Sequence, residues 1–438
     1  MAIDDTLRPS RRKVLTYTGA AGVAAVAGCI STTDEEGNGN GNGNGNGNGD
    51  DDGNGNGNGN GNGDANGDVY EIGMVDSLTG SLADFGERNQ RAKDLALEHV
   101  NEVGVGGGEL EIIVEDSESE SQAGVSAAQK LVNQDNVPFL IGAVGSGVSL
   151  SIYESVIQDT EVVQLSQNST GLGLTDFPGL LRMSPSGRTQ SIALADIIAE
   201  DGYDEVAVTY INDEFGESLY DAFEEAYEGE IAYDSAHNAE EASYSSLVSE
   251  MNSSEAEAWL CITYQQEFAT MVTDMFESGY EPQLYGADSN RGDTVIENTP
   301  EGSMDGMKLV EPAAPEDQDN YQDFAAAFEE EYDEAPTAWS AFAYDCVVTA
   351  ALSIAAADDF SGEALGEVVR DVTRPEGEEV FTYEDAHAIL ADGGSASDID
   401  YQGVSGPIDF DENGDPRGSL VVFEVQDHDY EAIEFRQS

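Results

Sequence analysis

At 438 residues the chain exceeds one ordinary domain, and its 89 Asp and Glu against 16 Lys and Arg leave a formal net charge of −73. That balance excludes the usual electrostatic route to nucleic acid or anionic lipid, both of which are held through cations. It looks like the composition of a protein from a strongly saline habitat, because in low salt so many carboxylates repel one another over a long Debye length. Apolar runs recur too regularly along the chain for an acidic disordered polymer.

Four of the cations, Arg8, Arg11, Arg12 and Lys13, precede Cys29, which leaves 12 for the rest of the chain. The apolar stretch Val14 to Gly28 is short for a membrane-spanning helix and reads as an export signal. Its paired arginines resemble a twin-arginine signal. Val26-Ala27-Gly28-Cys29 resembles the lipobox after which a lipoprotein is cut and its new N-terminal cysteine lipidated. Residues 1–29 are therefore expected to be a signal peptide, with Cys29 the lipidated residue. Residues 30–68 form a linker: from Gly37 to Gly63 they are almost wholly alternating Gly and Asn, interrupted by Asp50, Asp51 and Asp52, with no apolar residue to order them. Flexible-chain scaling gives such a linker a root-mean-square reach of roughly 35 Å.

From Val69 onward, apolar strands alternate with amphipathic helical stretches. Tyr70 to Val75 reads as a strand ending in the polar turn Asp76 to Ser81. A helix follows with Ala92, Leu95, Ala96 and Val100 on one face, then a strand from Leu110 to Val114, then a helix lined by Ala127, Ala128, Leu131 and Val132. Gly104 to Gly108 lies after a helix and before a strand, so it is a helix stop and not a phosphate loop.

Pro138 to Val144 has the continuous apolar character of a strand buried on both faces of a parallel sheet. Gly145-Ser146-Gly147 breaks it. Val148, Ile152, Val156 and Ile157 then follow helical spacing, and Val162 to Leu165 begins another strand that ends in Ser166 to Gly171. In right-handed crossover units both polar turns open onto the carboxyl edge of the sheet, where exposed N–H groups and a helix N-terminus favour anions. Such a cradle suits a small carboxylate, although Gly and Ser at these positions serve equally to make tight turns.

The pattern restarts after Met183 to Gly187. A helix over about Thr189 to Ala199 leads to strands Val206 to Ile211, Trp259 to Thr263 and Gln283 to Tyr285. These end at the turns Asn212 to Gly216, Tyr264 to Gln266 and Gly286 to Asp288. Three helical stretches follow Pro312: Tyr321 to Tyr332, Trp339 to Ala357 and Leu365 to Val372. The chain is expected to close on a hairpin formed by Gly406 to Phe410 and Leu420 to Val425 across a polar turn.

An export lipoprotein signal, a flexible linker and two similar open α/β lobes resemble the type I solute-binding proteins of ABC transporters, the branched-chain amino-acid branch above all. The resemblance is carried by Ile72 to Val75 with Leu78 to Gly86, by Leu140-Ile-Gly142 with Ser146, by Asn212 to Gly216, by Gly286 to Asp288 and by Gly403 to Asp415, and it spans Val69 to about Glu424. It implies two doubly wound, Rossmann-like lobes joined by three hinge crossings near Ser184 to Gly187, Glu311 to Ala313 and Val404 to Gly406. The first lobe would hold residues 69–187 and 313–403, the second 188–312 and 404–438. It further implies a small amino acid, branched-chain or otherwise apolar, captured between the lobes for an ABC permease and its ATPase subunits, at the extracellular face of a membrane reached only by a lipid anchor.

In that family a hydroxyl and backbone N–H groups after two first-lobe strands hold the ligand carboxylate. The resemblance places Ser146 in this role, with Gly147 where a second serine is common, and Ser169 and Thr170 in a turn that has Gln167 where the family has Pro. Phe85 matches an aromatic covering the ligand from the first lobe; Phe215 and Tyr264 match aromatics of the second; Asp288 matches the carboxylate that accepts the ligand ammonium. The departures at Gly147 and Gln167 leave room for an amide, urea or aromatic acid as ligand. The same fold also serves as a sensor lobe, but no transmembrane or signalling segment is expected after Ser438, which favours a tethered transport receptor.

A secreted hydrolase is disfavoured, because Val144 occupies the place of the first glycine in a Gly-x-Ser-x-Gly elbow around Ser146. His99, His237, His387 and His428 are scattered and form no metal-binding pair. Asp409 to Asp415 imitates a calcium loop but has Leu420 at the twelfth position, where a bidentate Glu is required. No metal or cofactor is expected, and Cys261 and Cys346, each within an apolar run, read as buried free thiols. Asn168-Ser-Thr170 and Asn252-Ser-Ser254 are glycosylation sequons.

Overall fold

A computed structural model describes residues 68–437. The expected signal peptide, Cys29 and the Gly/Asn linker lie outside them.

The first sheet is built from five short strands: β1 (Val69–Asp76), β2 (Glu109–Asp116), β3 (Phe139–Gly142), β4 (Val163–Ser166) and β5 (Leu180–Arg182), all parallel, in the order β2-β1-β3-β4-β5. β3 and β4 are buried at every residue, as a sheet covered on both faces requires; β3 is wholly apolar, while in β4 the buried Gln164 donates to the Gly142 carbonyl at 3.0 Å and Ser166 to the Ala143 carbonyl at 2.7 Å. The crossovers are α1 (Ala83–Val103), α2 (Ser121–Lys130) and α3 (Ser146–Ile152), the last two continuing in wider helical turns to Asp135 and Ile157.

After α4 (Gly187–Glu200) the chain builds a second sheet from β6 (Glu205–Ile211), β7 (Glu230–His237), β8 (Ala258–Ile262), β9 (Gln283–Gly286) and β10 (Lys308–Ala313), with α5 (Glu214–Ala226), α6 (Ser245–Ser253), α7 (Gln265–Glu277) and α8 (Asp293–Asn298) between them. Its order, β7-β6-β8-β9-β10, repeats that of the first sheet. The chain then returns to the first: α9 (Asp319–Tyr332) and α10 (Ala338–Ala356) both pack on α1, and α11 (Gly362–Val368) lies against β4. A small parallel pair, β11 (Glu378–Val380) with β12 (Ile399–Tyr401), flanks α12 (Tyr383–Ala391). Finally β13 (Ser419–Gln426) joins β10 antiparallel, and β14 (Asp429–Gln437) forms the edge.

α10 is long and apolar enough to cross a membrane by composition, but 94% of that stretch is buried inside the protein. It is the helix around which the first lobe's core closes. Cys346 on α10 and Cys261 on β8 are buried free thiols, and burial pushes the Cys261 thiol up to about 12.

The expected closing hairpin is corrected. Gly406 to Phe410 is not a strand; β13 pairs instead with β14 through a two-residue turn at Asp427 and His428, both at positive φ (51° and 64°). Pro407 removes a ladder donor from the segment that was expected to pair. Asp411 to Asp415 does make a tight turn, with Gly414 at φ 88°, but it docks on the edge of the first sheet, where Arg182 N–H donates to the Gly414 carbonyl at 3.1 Å. The wholly buried Arg182 grips Asp415 with two bonds, Nε to Oδ1 at 2.6 Å and Nη2 to Oδ2 at 2.9 Å. That planar fork is the geometry in which Arg holds a carboxylate best.

Candidate functional site

Reversal of strand order creates a crevice at the carboxyl ends of neighbouring strands. In the first sheet it lies between β1 and β3, in the second between β6 and β8, and the two crevices face each other. The turns beyond these strands supply a small chamber between the lobes. Leu82, Phe85, Val144, Ser146, Asn168, Thr170 and Trp339 line it from the first lobe, and Phe215, Tyr264, Asp288 and Ser289 from the second. Its volume is about 30 Å³, room for a water or two. A wider cleft of about 390 Å³ adjoins it, bounded by Ser81, Gly147, Asn212 and Asn238.

The aromatic walls are fixed by their own contacts. Phe215 and Tyr264 stack with centroids 5.6 Å apart, and Phe85 meets Trp339 edge to face at 5.7 Å. The Tyr264 hydroxyl donates to Asp213, whose other oxygen accepts from Gly216 N–H at 3.0 Å and caps α5. Tyr264 is thereby held by the helix that carries Phe215.

Ser146 opens α3. Its Oγ accepts from Gly171 N–H at 3.0 Å, which leaves its own proton free and ties together the two polar turns. Gly171 is required there, because a Cβ would lie 2.7 Å from the Ser146 Cβ. Across the chamber, Asp288 follows β9. Its Oδ1 accepts from Ser289 N–H at 2.8 Å, and Thr170 Oγ1 bridges the lobes to its Oδ2 at 3.3 Å. Burial pushes this carboxyl up to about 7, in spite of bonds from Ser289, Gln190 and Thr170 that favour the anion. A buried carboxylate that lacks a cation is a group whose charge a ligand can complete.

Of the expected site residues, Phe85, Ser146, Thr170, Phe215, Tyr264 and Asp288 are brought together on the chamber. Gly147 instead borders the outer cleft, near Glu214 of the opposite lobe. Ser169 does not line the chamber: its hydroxyl is taken by Ser149 Oγ at 2.9 Å and by the Ala143 and Val144 carbonyls at 3.2 Å each. It braces the two turns from behind. Leu82, Asn168, Ser289 and Trp339 were not anticipated. Trp339 begins a helix that reads only as core, and Asn168 reads as a sequon, yet it is 6% exposed. The second sequon residue, Asn252, is exposed. Among the described residues no group of His, Cys, Asp and Glu is arranged to hold a metal ion.

Comparison with known proteins places this geometry. The family described as periplasmic binding protein matches residues 69–429. A Leu/Ile/Val-binding protein homolog 3 from Brucella melitensis is 27% identical over 225 residues, covering 50% of this chain and 60% of that protein. The chain thus spans less than two thirds of that relative's length. The branched-chain amino acid transporter substrate-binding protein LivJ of Streptococcus pneumoniae, solved in complex with isoleucine, superposes with a TM-score of 0.73 at 20% identity over 85% of this chain and all of that one. A solute-binding protein of an ABC transporter from R. palustris, solved with benzoate, gives 0.69 at 17% identity over 84% of this chain and 97% of the other.

Proposed function

This chain belongs to the periplasmic binding protein family and has the type I fold, and we propose that it captures a small amino acid between its lobes for an ABC importer. The observation that carries this reading is the pairing across one chamber of a buried carboxylate, Asp288, with the hydroxyls of Ser146 and Thr170. A zwitterion taken from water needs donors at one end and a charged acceptor at the other. Ser146, Thr170 and the free N–H groups of the first turn of α3 would hold the carboxylate. Asp288 would accept from the ammonium, and Phe85, Trp339, Phe215 and Tyr264 would wall the side chain.

The chamber is narrow and walled from both lobes, so capture would have the lobes part and close again. The lobes of this proposal hold residues 69–187 with 313–403 and residues 188–312 with 404–438, and they hinge at the three crossings. Contacts with both lobes give the ligand the differential affinity that closure needs. Delivery would be to a permease with its ATPase subunits, from the outer face of a membrane to which a lipid on Cys29 tethers the long linker. Mass spectrometry of the native N-terminus tests the anchor; an unmodified terminus upstream of Arg11 excludes it.

An aromatic acid is the second reading, favoured by the four aromatic walls and by the benzoate complex of the R. palustris protein. It leaves Asp288 without a partner. Calorimetry of the full chain in molar salt, against a panel of amino acids, amides, urea and aromatic acids, separates the two. Binding confined to ligands with an ammonium group supports the amino-acid reading, and binding confined to ligands without one overturns it.

A further inference from the structure

Behind the first-lobe wall of the chamber runs a chain of side-chain amides that starts from a buried carboxylate. Asp76, the last residue of β1, is fully buried; its Oδ1 accepts from Ser77 N–H at 2.9 Å and from Asn89 Nδ2 at 3.2 Å, and its Oδ2 from Gln90 Nε2 at 2.7 Å. The same Asn89 nitrogen gives its other proton to Asn168 Oδ1 at 2.8 Å. An amide group that meets an anionic carboxylate must present its nitrogen, so Asp76 sets the orientation of Asn89, and Asn89 in turn sets that of Asn168. The atom left over on Asn168 is therefore Nδ2. It is buried, belongs to a residue on the chamber wall, and has no acceptor in the protein.

Buried N–H donors are nearly always paired, and one left unpaired at a ligand chamber points to an acceptor on the ligand. The α-carboxylate and ammonium already have their partners in Ser146, Thr170 and Asp288, so this acceptor belongs to the side chain. Its charge is limited by the lining, which contains Asp288 and neither Lys nor Arg. A second carboxylate would lie there without a counter-charge, at a cost that excludes it. A neutral oxygen remains, with Leu82, Val144 and Trp339 to cover the carbon that carries it.

We propose that the chamber selects an amino acid whose neutral side chain bears a hydrogen-bond acceptor, a hydroxyl, ether or carboxamide oxygen, and that Asn168 Nδ2 donates to it. This rests on the amino-acid reading above and departs from the aliphatic ligand implied by the sequence resemblance. Asn168 is the specificity-determining residue, and Asp76 and Asn89 are positioning residues acting through it.

The test is calorimetry of the full chain in molar salt with two matched pairs, threonine against valine and O-methylserine against norvaline, each differing by an oxygen in place of a carbon. The wild-type protein should bind the oxygen-bearing member at least about tenfold more tightly, since a site built to hydrogen-bond a ligand group rejects the analogue that lacks it. Asn168→Ala should bring both ratios close to one. Asn168→Asp keeps the oxygen that Asn89 holds but replaces the donor by an acceptor, and should reverse the preference for O-methylserine over norvaline. Valine and norvaline bound as tightly as their partners by the wild-type protein, or ratios unchanged in Asn168→Ala, would overturn the donor role and leave the amino-acid reading standing. Failure to bind any α-amino acid would overturn both.

Discussion

Asp345, buried in the middle of α10, receives the backbone N–H of Ser405 at 2.7 Å, and so the core helix grips the turn that leads to the Asp411 to Asp415 segment. The Val404 N–H at 3.1 Å and the Tyr401 hydroxyl at 2.7 Å complete the cradle, together with the Ser405 hydroxyl. Gly403, at φ 66°, brings the turn this close: a Cβ there would lie 2.6 Å from Asp345 Oδ2. Asp345→Ala strands several buried donors at once and should lower unfolding free energy by roughly 2–4 kcal/mol in denaturant titration. A loss below about 0.5 kcal/mol, the range of neutral surface changes, would contradict this role.

Stability should fall as pH rises from mildly acidic to neutral. Burial pushes Asp76 and Asp345 up to about 6 and Asp288 up to about 7, so the native state keeps protons that the unfolded chain releases near pH 4. Their contribution is complete below the unfolded value and is lost as pH climbs through 6 to 7. His237, buried between Thr209 and Thr263 and lowered to about 4, acts in the opposite sense between 4 and 6.5. Melting temperature should therefore decline between pH 6.5 and pH 8, where only the carboxyl effect operates. A flat or rising curve over that interval would be inconsistent with these buried acids.

Added salt should raise the melting temperature. The 12 cations after Cys29 cannot neutralise the acidic surface, and screening relieves the repulsion among carboxylates. Melts from 0.1 M to several molar KCl measure this; a transition that stays put or drops with salt counts against the saline reading.

Closure is held by contacts that need not touch ligand. Gly173 N–H donates to Glu214 Oε1 at 2.8 Å across the lobes, and Leu172 N–H to Ser218 Oγ at 3.0 Å. A methyl at Gly173 would lie 2.4 Å from that same Oε1. Gly173→Ala should push that flexible carboxylate aside and break the bond, weakening ligand binding by roughly 0.5–1.5 kcal/mol, the worth of a hydrogen bond. Unchanged affinity in calorimetry would count against this latch.

Much of the fold was legible because strands buried on both faces leave apolar runs, unbroken in β3 and β8 and nearly so in the inner halves of β1 and β6. What escaped was structure whose cause lies elsewhere in the chain. β5 has three residues, which pair with β4 and end in Arg182, the anchor of Asp415; β11 and β12 are equally short. β7, Glu-Ile-Ala-Tyr-Asp-Ser-Ala-His, is half-exposed along an edge and lacks a clear apolar alternation. The final hairpin turns on Asp427-His428, without the Asn-Gly signal that marks such turns. In the site, the residues next to the polar turns could be read from local sequence. Trp339 could not, since only the packing of α10 against α1 brings it there. Nor could the loss of Ser169 to an internal network, which depends on Ser149 one helix turn away from the site.

The most direct test of the central claim, that Asp288 receives a ligand ammonium, is the proton balance of binding. Calorimetry at pH 7 in buffers of differing ionisation enthalpy should show release of about half a proton per amino acid bound, because a carboxyl pushed up to about 7 is driven to its anion by the incoming cation. Asp288→Asn should abolish the release. Asp288→Ala and Thr170→Ala should each weaken binding by roughly 1.5–3 kcal/mol, the scale of a hydrogen bond to a charged group. Binding with no proton released, and with affinity unchanged in Asp288→Ala, would contradict the assignment and the amino-acid reading with it.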